Sequence, residues 1–262
     1  MKIKMIVTDL DGTLLRGDNW ATATVSDYTM SILKKCHAKG IKITYATGRD
    51  DGATIPALSE LVDGYAHNNG AKAYIGDTLI YKRAIPLDNV RNVLIAADNA
   101  GVKITAERNG IFYGNFNNPE EWQWQWPKLY ENIDFKTLDI EANLLFAIAN
   151  SIEESKIAEQ IITKHLPNDL CLHIREEEAL FVVLHNEAVK SKSVAALAAH
   201  WGINPSEIVA FGNDATDIDL LEYCGIGVAV SNALDDVKNV ADCICESNEN
   251  DGVAKWLEER LL

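Results

Sequence analysis

Two aspartates end the first apolar segment of this chain. Asp9 and Asp11 lie one residue apart in the stretch IVTDLDGTLL, and Gly12 follows them. A short apolar run that is bounded by a glycine turn predicts a buried strand, which places both carboxylates at its C-terminal end. In open α/β sheets, ligands bind in the crevice outside the carboxyl ends of the strands. The two aspartates are therefore candidates for chemistry on a bound ligand.

Further polar residues stand at comparable places along the chain. Thr47 and Arg49 end the predicted strand IKITYATGR, and Lys190 begins the predicted helix KSKSVAALAAHWG. An acidic turn, GNDATDID, ends another predicted strand and contains Asn213, Asp214 and Asp217. Because the carboxyl ends of parallel strands meet at one edge of a sheet, these residues are predicted to form one site.

The residue types in this predicted site favour phosphoryl transfer. Crowded carboxylates repel one another, so a divalent cation is their natural partner, and Mg²⁺ prefers oxygen ligands. Thr47 offers a hydroxyl and backbone N–H groups, and Lys190 offers a compact positive charge for phosphate oxygens. One carboxylate can attack phosphorus while a second protonates the leaving alkoxide and then deprotonates water.

Composition and charge limit the classes of partner that we expect this protein to bind. The chain has 262 residues, of which 47% are hydrophobic and 24% charged, as in a globular protein. Its formal net charge of -15 argues against nucleic acid and anionic membrane as partners. Five cysteines without paired CxxC spacing predict neither a disulfide framework nor a zinc site, which favours the reducing cytoplasm. We expect no signal peptide and no membrane span.

The order of predicted elements indicates an α/β protein with an insertion. Strands and helices alternate in residues 1–82 and 187–262, which predicts one parallel-sheet domain made from both ends of the chain. Residues 83–186 read as a separate mixed unit of helices and strands. Two short alternating runs around Gly76 and Asp77 predict a hairpin.

Four sequence motifs resemble a known family. DLDGTLL, TGR, the helix-starting Lys190 and FGNDATDIDLL resemble, in order and spacing, the motifs of the haloacid dehalogenase-like phosphatases. The insertion is similar to the cap of the Cof-type subgroup, and HNNGA resembles its Asn-Gly-Ala turn. The resemblance implies a Rossmann-like parallel-sheet core with an inserted mixed α/β cap domain.

The resemblance also implies roles for individual residues. Asp9 would be the nucleophile and Asp11 the general acid/base, while Thr47 and Lys190 would bind the transferring phosphoryl group. Mg²⁺ would bridge Asp9, the Asp11 carbonyl and the fourth motif. The implied substrate contacts are Gly12, Gly48, Arg49, Asn69 and Thr216, and the implied metal ligands are Asp9, Asp11, Asn213, Asp214 and Asp217.

The fourth motif departs from the subgroup's usual Gly-Asp-x-x-Asn-Asp pattern. Asn213 stands where a charged metal ligand is usual, and Thr216 stands where an asparagine is usual. An asparagine oxygen can still bind Mg²⁺, and the neighbouring Asp214 is an alternative ligand.

We therefore expect a Mg²⁺-dependent phosphatase that acts on small phosphorylated metabolites, sugar phosphates first, through an aspartyl-phosphate. A sugar phosphomutase or phosphotransferase and a non-enzymatic receiver-like phospho-acceptor module are the alternatives.

The roles of a few residues stay open. A platform for a sugar ring and packing within the cap are both compatible with Trp122, Trp124 and Trp126. The sequence assigns no role to His67, and it leaves Arg49 open between a substrate contact and a structural ion pair.

Overall fold

The chain forms two compact units in the computed structural model, which describes residues 2–17, 22–50, 55–117, 129–130, 132–175 and 179–262. The first unit comprises Met1–Arg49, Ala53–Lys82 and Val189–Leu262, and the second comprises Asp50–Gly52 and Arg83–Ala188. The fold is α/β with a parallel-sheet core, as the sequence predicts. The assignment of the first unit to catalysis and of the second to a cap stays a prediction.

An eight-stranded sheet organises the first unit. Its strands, in spatial order, are β14 (Cys243–Cys245), β13 (Ile226–Val230), β12 (Ile208–Gly212), β1 (Met5–Thr8), β2 (Lys42–Ala46), β3 (Gly64–His67), β4 (Lys72–Ile75) and β5 (Thr78–Lys82). The pairs from β14 to β3 are parallel. The predicted hairpin is confirmed as β4 and β5, which add two antiparallel strands at one side.

Strand β1 lies at the point where the strand order reverses. The chain goes from β1 to β2 on one side, and β12 returns to pair with β1 on the other. All residues of β1 and β12 are buried, as expected for central parallel strands covered on both faces. Ligands bind at such a switch point, and the DLDG turn follows β1 directly.

Helices complete the first unit. They are α1 (Asp27–Ala38), α4 (Lys190–His200), α5 (Ile218–Tyr223), α6 (Asp235–Val240) and α7 (Gly252–Leu261). Ser26 is the N-cap of α1, since its Oγ accepts a hydrogen bond from Thr29 N at 3.0 Å. Helix α6 was not predicted, because six residues are too few to show a helical period.

In its described residues, the second unit contains a mostly antiparallel sheet and two α-helices. The sheet order is β10 (Leu170–Arg175), β11 (Leu180–His185), β9 (Leu144–Ile148), β6 (Lys103–Arg108), β7 (Ile111–Gly114) and β8 (Leu129–Tyr130). Helices α2 (Leu87–Asn99) and α3 (Ile152–His165) pack against each other and share an apolar core with this sheet. The mixed composition of the inserted segment is as predicted.

Some sequence predictions meet a limit or a difference here. The tryptophans Trp122, Trp124 and Trp126 lie outside the described residues. At the start of α3, Ser151 Oγ accepts from Glu154 N, and the Glu154 carboxylate accepts from Asn150 N, so one half of a capping box forms. Within the described ranges, no helix combines the length and the apolar character that a bilayer crossing requires.

Candidate active site

Asp9 follows β1 and is held by the neighbouring strand. Its N–H donates to the Phe211 carbonyl at 2.9 Å, which continues the pairing of β1 with β12 by one residue. Its side chain is buried. The backbone then turns at Gly12, whose φ of +73° is the left-handed conformation that favours glycine. The sequence rule that places Asp9 at the carboxyl end of a buried strand is therefore correct.

Lys190 joins two carboxylates inside the protein. Its ammonium donates to Asp9 Oδ1 at 2.7 Å and to Asp217 Oδ1 at 2.6 Å. The Lys190 side chain is only 2% exposed and that of Asp217 is fully buried. A buried ammonium is stable only when it is paired in this way, and hydrogen bonds to charged groups are the strong ones. Residues that are 181 and 27 positions from Lys190 thus form one charged cluster.

Burial and charge shift the protonation of this cluster. Burial raises the pKa of the Asp9 carboxyl. The positive charge of Lys190 lowers it, but the pKa of Asp9 stays above its usual range. Burial alone would lower the pKa of Lys190, but the negative charges of Asp217 and Asp9 outweigh it and hold that pKa above its usual range. Lys190 therefore remains a cation at neutral pH.

Asp217 uses both of its carboxylate oxygens within the protein. Oδ1 accepts from Lys190, and Oδ2 accepts from the backbone N–H groups of Asn213 and Asp214 at 2.9 and 3.0 Å. Both oxygens therefore take part in hydrogen bonds that hold Lys190 and the turn. Asp217 thus links Lys190 to the turn, and the metal-ligand role that the sequence suggests for it stays a prediction.

Asn213 contacts the loop that Asp9 begins. Its Oδ1 accepts from Thr13 Oγ1 at 2.9 Å, and a Cβ atom on Gly12 would lie only 2.5 Å from Asn213 Nδ2. Gly12 is therefore required both by its φ and by the closeness of Asn213. Asn232, which the sequence analysis did not select, donates from Nδ2 to the Gly12 carbonyl at 2.8 Å. It follows β13, so the strand-end rule could have found it.

Thr47 and Arg49 follow β2 as predicted. Thr47 is buried, its N–H donates to the Ala66 carbonyl, and its carbonyl accepts from Asn69 N, both at 3.0 Å. A Cβ atom on Gly48 would lie 3.0 Å from Asn69 Oδ1. The predicted substrate contacts Gly48 and Asn69 are thus neighbours of Thr47.

Arg49 forms a bidentate ion pair with Asp11. Nε donates to Asp11 Oδ2 at 2.7 Å and Nη2 donates to Oδ1 at 2.5 Å. The sequence left Arg49 open between a structural ion pair and a substrate contact, and the structure places the guanidinium on a predicted catalytic carboxylate. Because a planar guanidinium matches carboxylate and phosphate equally well, the same group suits a phosphate ligand.

The remaining predicted residues lie in two turns. Thr216 is half-buried in the 3₁₀ turn Ala215–Asp217, and Asp214 begins that turn by accepting from Ala215 N at 2.6 Å. Asn69 and Gly70 form a second turn, in which Gly70 lies against the start of α4. A Cβ atom on Gly70 would lie 2.8 Å from Lys190 N, so the Asn-Gly-Ala turn allows Lys190 to enter the site.

The oxygen donors around Asn213 fit a magnesium ion by their chemistry. Among the described residues, no three side chains of His, Cys, Asp or Glu come together as a metal site. The loop after β1 carries the Asp9 carboxylate and the Asp11 backbone carbonyl, and its Thr13 hydroxyl donates to the Asn213 amide oxygen. Carboxylate, carbonyl and amide oxygens are all ligands of hard divalent cations. Such a set holds less negative charge than an all-carboxylate site.

A family model describes nearly the whole chain. The model of the haloacid dehalogenase-like hydrolases matches residues 6–257, which includes the DLDG loop, the Thr47 turn, Lys190 and the acidic turn. The chain belongs to this family. Haloacid dehalogenase-like relatives that are named phosphatases show that it is an enzyme of the phosphatase class.

Three of these relatives match over almost their full length. A putative phosphatase of Haemophilus influenzae is 26% identical, with 100% of this chain and 99% of the relative covered. A 5-amino-6-(5-phospho-D-ribitylamino)uracil phosphatase of Bacillus subtilis is 25% identical, with 99% and 96% covered. The solved structure of the subclass IIB sugar phosphatase BT4131 is 28% identical, with 98% of each chain covered and a TM-score of 0.79.

Proposed function

We propose that this haloacid dehalogenase-like enzyme is a Mg²⁺-dependent phosphatase of small phosphorylated metabolites, sugar phosphates first, which works through an aspartyl-phosphate on Asp9. The observation that supports it most directly is the buried ammonium of Lys190, which bonds both Asp9 and Asp217. The sugar phosphatase BT4131, a relative at 28% identity, supports the substrate class.

In the proposed reaction, Asp9 is the nucleophile. A carboxylate oxygen of Asp9 attacks phosphorus, the bond from phosphorus to the leaving oxygen breaks, and an aspartyl-phosphate forms. Lys190 orients the carboxylate through Oδ1 and offsets the negative charge of the transferring group. The buried hydroxyl and the turn of Thr47 complete the cradle for the phosphoryl oxygens.

Asp11 exchanges protons with the leaving group and with water. In the first step it donates its proton to the leaving alkoxide, and in the second it accepts a proton from the water that cleaves the aspartyl-phosphate. The products are the alcohol, inorganic phosphate and the free Asp9 carboxylate. Since Arg49 bonds both oxygens of the Asp11 carboxylate, Arg49 has to release Asp11 and bind substrate phosphate oxygens before Asp11 exchanges a proton.

We propose Asp9, the Asp11 carbonyl and Asn213 as the Mg²⁺ ligands, with Asp214 as the alternative to Asn213. Bound Mg²⁺ supplies positive charge that offsets repulsion between the Asp9 carboxylate and the phosphoryl group. Asp217 is a positioning residue in this proposal, because both of its oxygens bond Lys190 and backbone N–H groups.

We also propose that the first unit is the catalytic core and that the segment 83–186 is a cap that restricts substrate size and excludes bulk water.

A panel of phosphorylated metabolites, assayed for released phosphate with and without Mg²⁺, tests the proposed phosphatase function. Asp9→Asn should keep the fold and lose turnover, since an amide is not a nucleophile for phosphorus. Phosphate release by folded Asp9→Asn above about a thousandth of wild type would contradict the mechanism. Transfer to an added sugar without net phosphate release would indicate a phosphotransferase, and stable labelling of Asp9 without turnover a phospho-acceptor module.

A further inference from the structure

The turn that ends in Arg49 is held by the end of the neighbouring strand β3. The Arg49 carbonyl accepts from Asn68 N at 2.8 Å and from the His67 ring nitrogen Nδ1 at 3.2 Å. A carbonyl oxygen has two lone pairs, so these two donors complete its hydrogen bonding. One of the two comes from a side chain to which the sequence assigns no role.

The chemistry of the acceptor defines the form of the His67 ring. A carbonyl oxygen only accepts, so Nδ1 must hold the hydrogen, and in the neutral ring Nε2 is then an acceptor. Nε2 faces the Tyr45 hydroxyl at 3.4 Å, which can donate to it. Tyr45 and the Arg49 carbonyl therefore favour the same tautomer.

Aromatic packing holds the ring in place. His67 is 1% exposed, and its ring packs edge-on against Tyr45 and Tyr65, with ring centroids 5.7 and 5.2 Å away. Packing between two aromatic neighbours fixes the plane of this buried ring, and the hydrogen bond from Nδ1 to the Arg49 carbonyl selects one of its two flips.

We propose that His67 is a positioning residue for the phosphatase reaction: by holding the Arg49 carbonyl, it fixes the backbone from which the Arg49 guanidinium reaches Asp11. The inference rests on the proposed function, in which Arg49 transfers from Asp11 to the substrate phosphate. Two N–H···O contacts of 2.5 and 2.7 Å tolerate little displacement, so a small shift of the Arg49 backbone breaks the bidentate geometry.

The variants separate the hydrogen bond from the packing. His67→Phe keeps a ring between Tyr45 and Tyr65 but removes the donor to Arg49, whereas His67→Asn supplies an amide N–H near the position of Nδ1. Tyr65→Phe is the matched control, because it removes a hydrogen bond to the Gly76 carbonyl from the same aromatic cluster. Thermal unfolding, kcat and KM are measured for each variant.

We expect His67→Phe to lower kcat/KM by about three- to tenfold, which corresponds to the net free energy of one ordinary hydrogen bond. His67→Asn should recover most of this loss, and Tyr65→Phe should leave kcat/KM unchanged. In an Arg49→Ala background, His67→Phe should cause no further loss, since its effect passes through the guanidinium. Losses that multiply in the double variant, or no recovery with His67→Asn, would overturn the inference.

A second measurement does not depend on turnover. In ¹⁵N-labelled protein, the Nε–H resonance of Arg49, assigned by its loss in Arg49→Lys, reports the ion pair with Asp11. We expect it to shift in His67→Phe and to stay in place in Tyr65→Phe. An unchanged resonance in His67→Phe would reject the positioning role even if the enzyme is an active phosphatase. If wild type hydrolyses no phosphorylated metabolite, the proposed function fails, and this resonance still decides whether His67 positions Arg49.

Discussion

Lys190 and Asp217 form an ion pair that is removed from water, with 2.6 Å between Nζ and Oδ1 and side-chain exposures of 2% and 0%. Removing one partner of a buried ion pair costs about 3–5 kcal/mol, and the lower end applies to the loss of the Asp217 charge because Asp9 still bonds Lys190. The pair therefore contributes to folding as well as to the proposed chemistry, and the two contributions can be separated.

We predict that Asp217→Asn lowers the free energy of unfolding by about 3 kcal/mol. An amide offers one acceptor oxygen, so it cannot accept from Lys190 and from the N–H groups of Asn213 and Asp214 as the carboxylate does. Because Asp217 is a positioning residue in the proposal, the Mg²⁺ concentration for half-maximal activity should change by less than about threefold. Urea unfolding and a magnesium titration measure the two effects. Unchanged stability with a far higher magnesium requirement would identify Asp217 as a direct ligand.

Asn213→Asp should strengthen magnesium binding. The Thr13 hydroxyl donates to Asn213 Oδ1 and can donate to a carboxylate in the same way, so the substitution adds charge with little change of shape. One added negative charge near a divalent cation should lower the half-maximal magnesium concentration by about threefold or more. Asp214→Asn is the comparison. If Asp214→Asn weakens magnesium binding strongly while Asn213→Asp is neutral, Asp214 is the ligand.

Gly12→Ala should reduce both stability and turnover, whereas Gly40→Ala should reduce stability alone. The two glycines have φ values of +73° and +81°, so alanine is strained at either position by about 1–2 kcal/mol. A Cβ atom at Gly40 meets nothing within 4 Å, but one at Gly12 would lie 2.5 Å from Asn213 Nδ2. Thermal unfolding and kcat/KM of both variants measure the difference. Equal kcat/KM in the two variants would show that Asn213 yields to the added methyl group.

Asp11→Asn should slow the hydrolysis of substrates with poor leaving groups most. An amide cannot protonate a leaving alkoxide, so hydrolysis of alkyl phosphates should fall by about a hundredfold or more. A nitrophenolate leaves without help, so hydrolysis of nitrophenyl phosphate should fall much less. Steady-state rates with both substrates give the ratio, and equal losses would exclude Asp11 as the general acid.

The cysteines should differ in their reaction with a thiol reagent. Cys36 and Cys224 are buried, so the native fold shields both thiols from the reagent. In native protein we expect these two to react only as fast as the fold opens, and the half-buried Cys171, Cys243 and Cys245 to react first. Burial raises the pKa of Cys245 to about 12, so its labelling should accelerate as the pH rises. Rapid labelling of all five thiols in native protein would contradict the burial of Cys36 and Cys224.

Local sequence determined where the reactive groups stand along the chain. Apolar runs define the strands, and turn residues define their ends, so Asp9, Thr47 and Asn213 could be placed at strand ends from the printed sequence alone. The β4–β5 hairpin was predicted for the same reason, because its signal spans only a few residues.

Only the tertiary structure decided which of these groups bond to one another. The partners of Lys190 lie 181 and 27 residues away, and Arg49 lies 38 residues from Asp11. A side chain's partner depends on strand order, on the register of neighbouring strands and on rotamers that packing selects, and no local pattern encodes these. The sequence therefore suggested a metal-ligand role for Asp217 but gave no sign of its hydrogen bond to Lys190. It assigned no role to His67 for the same physical reason: the contact with Arg49 exists only once β2 and β3 lie side by side.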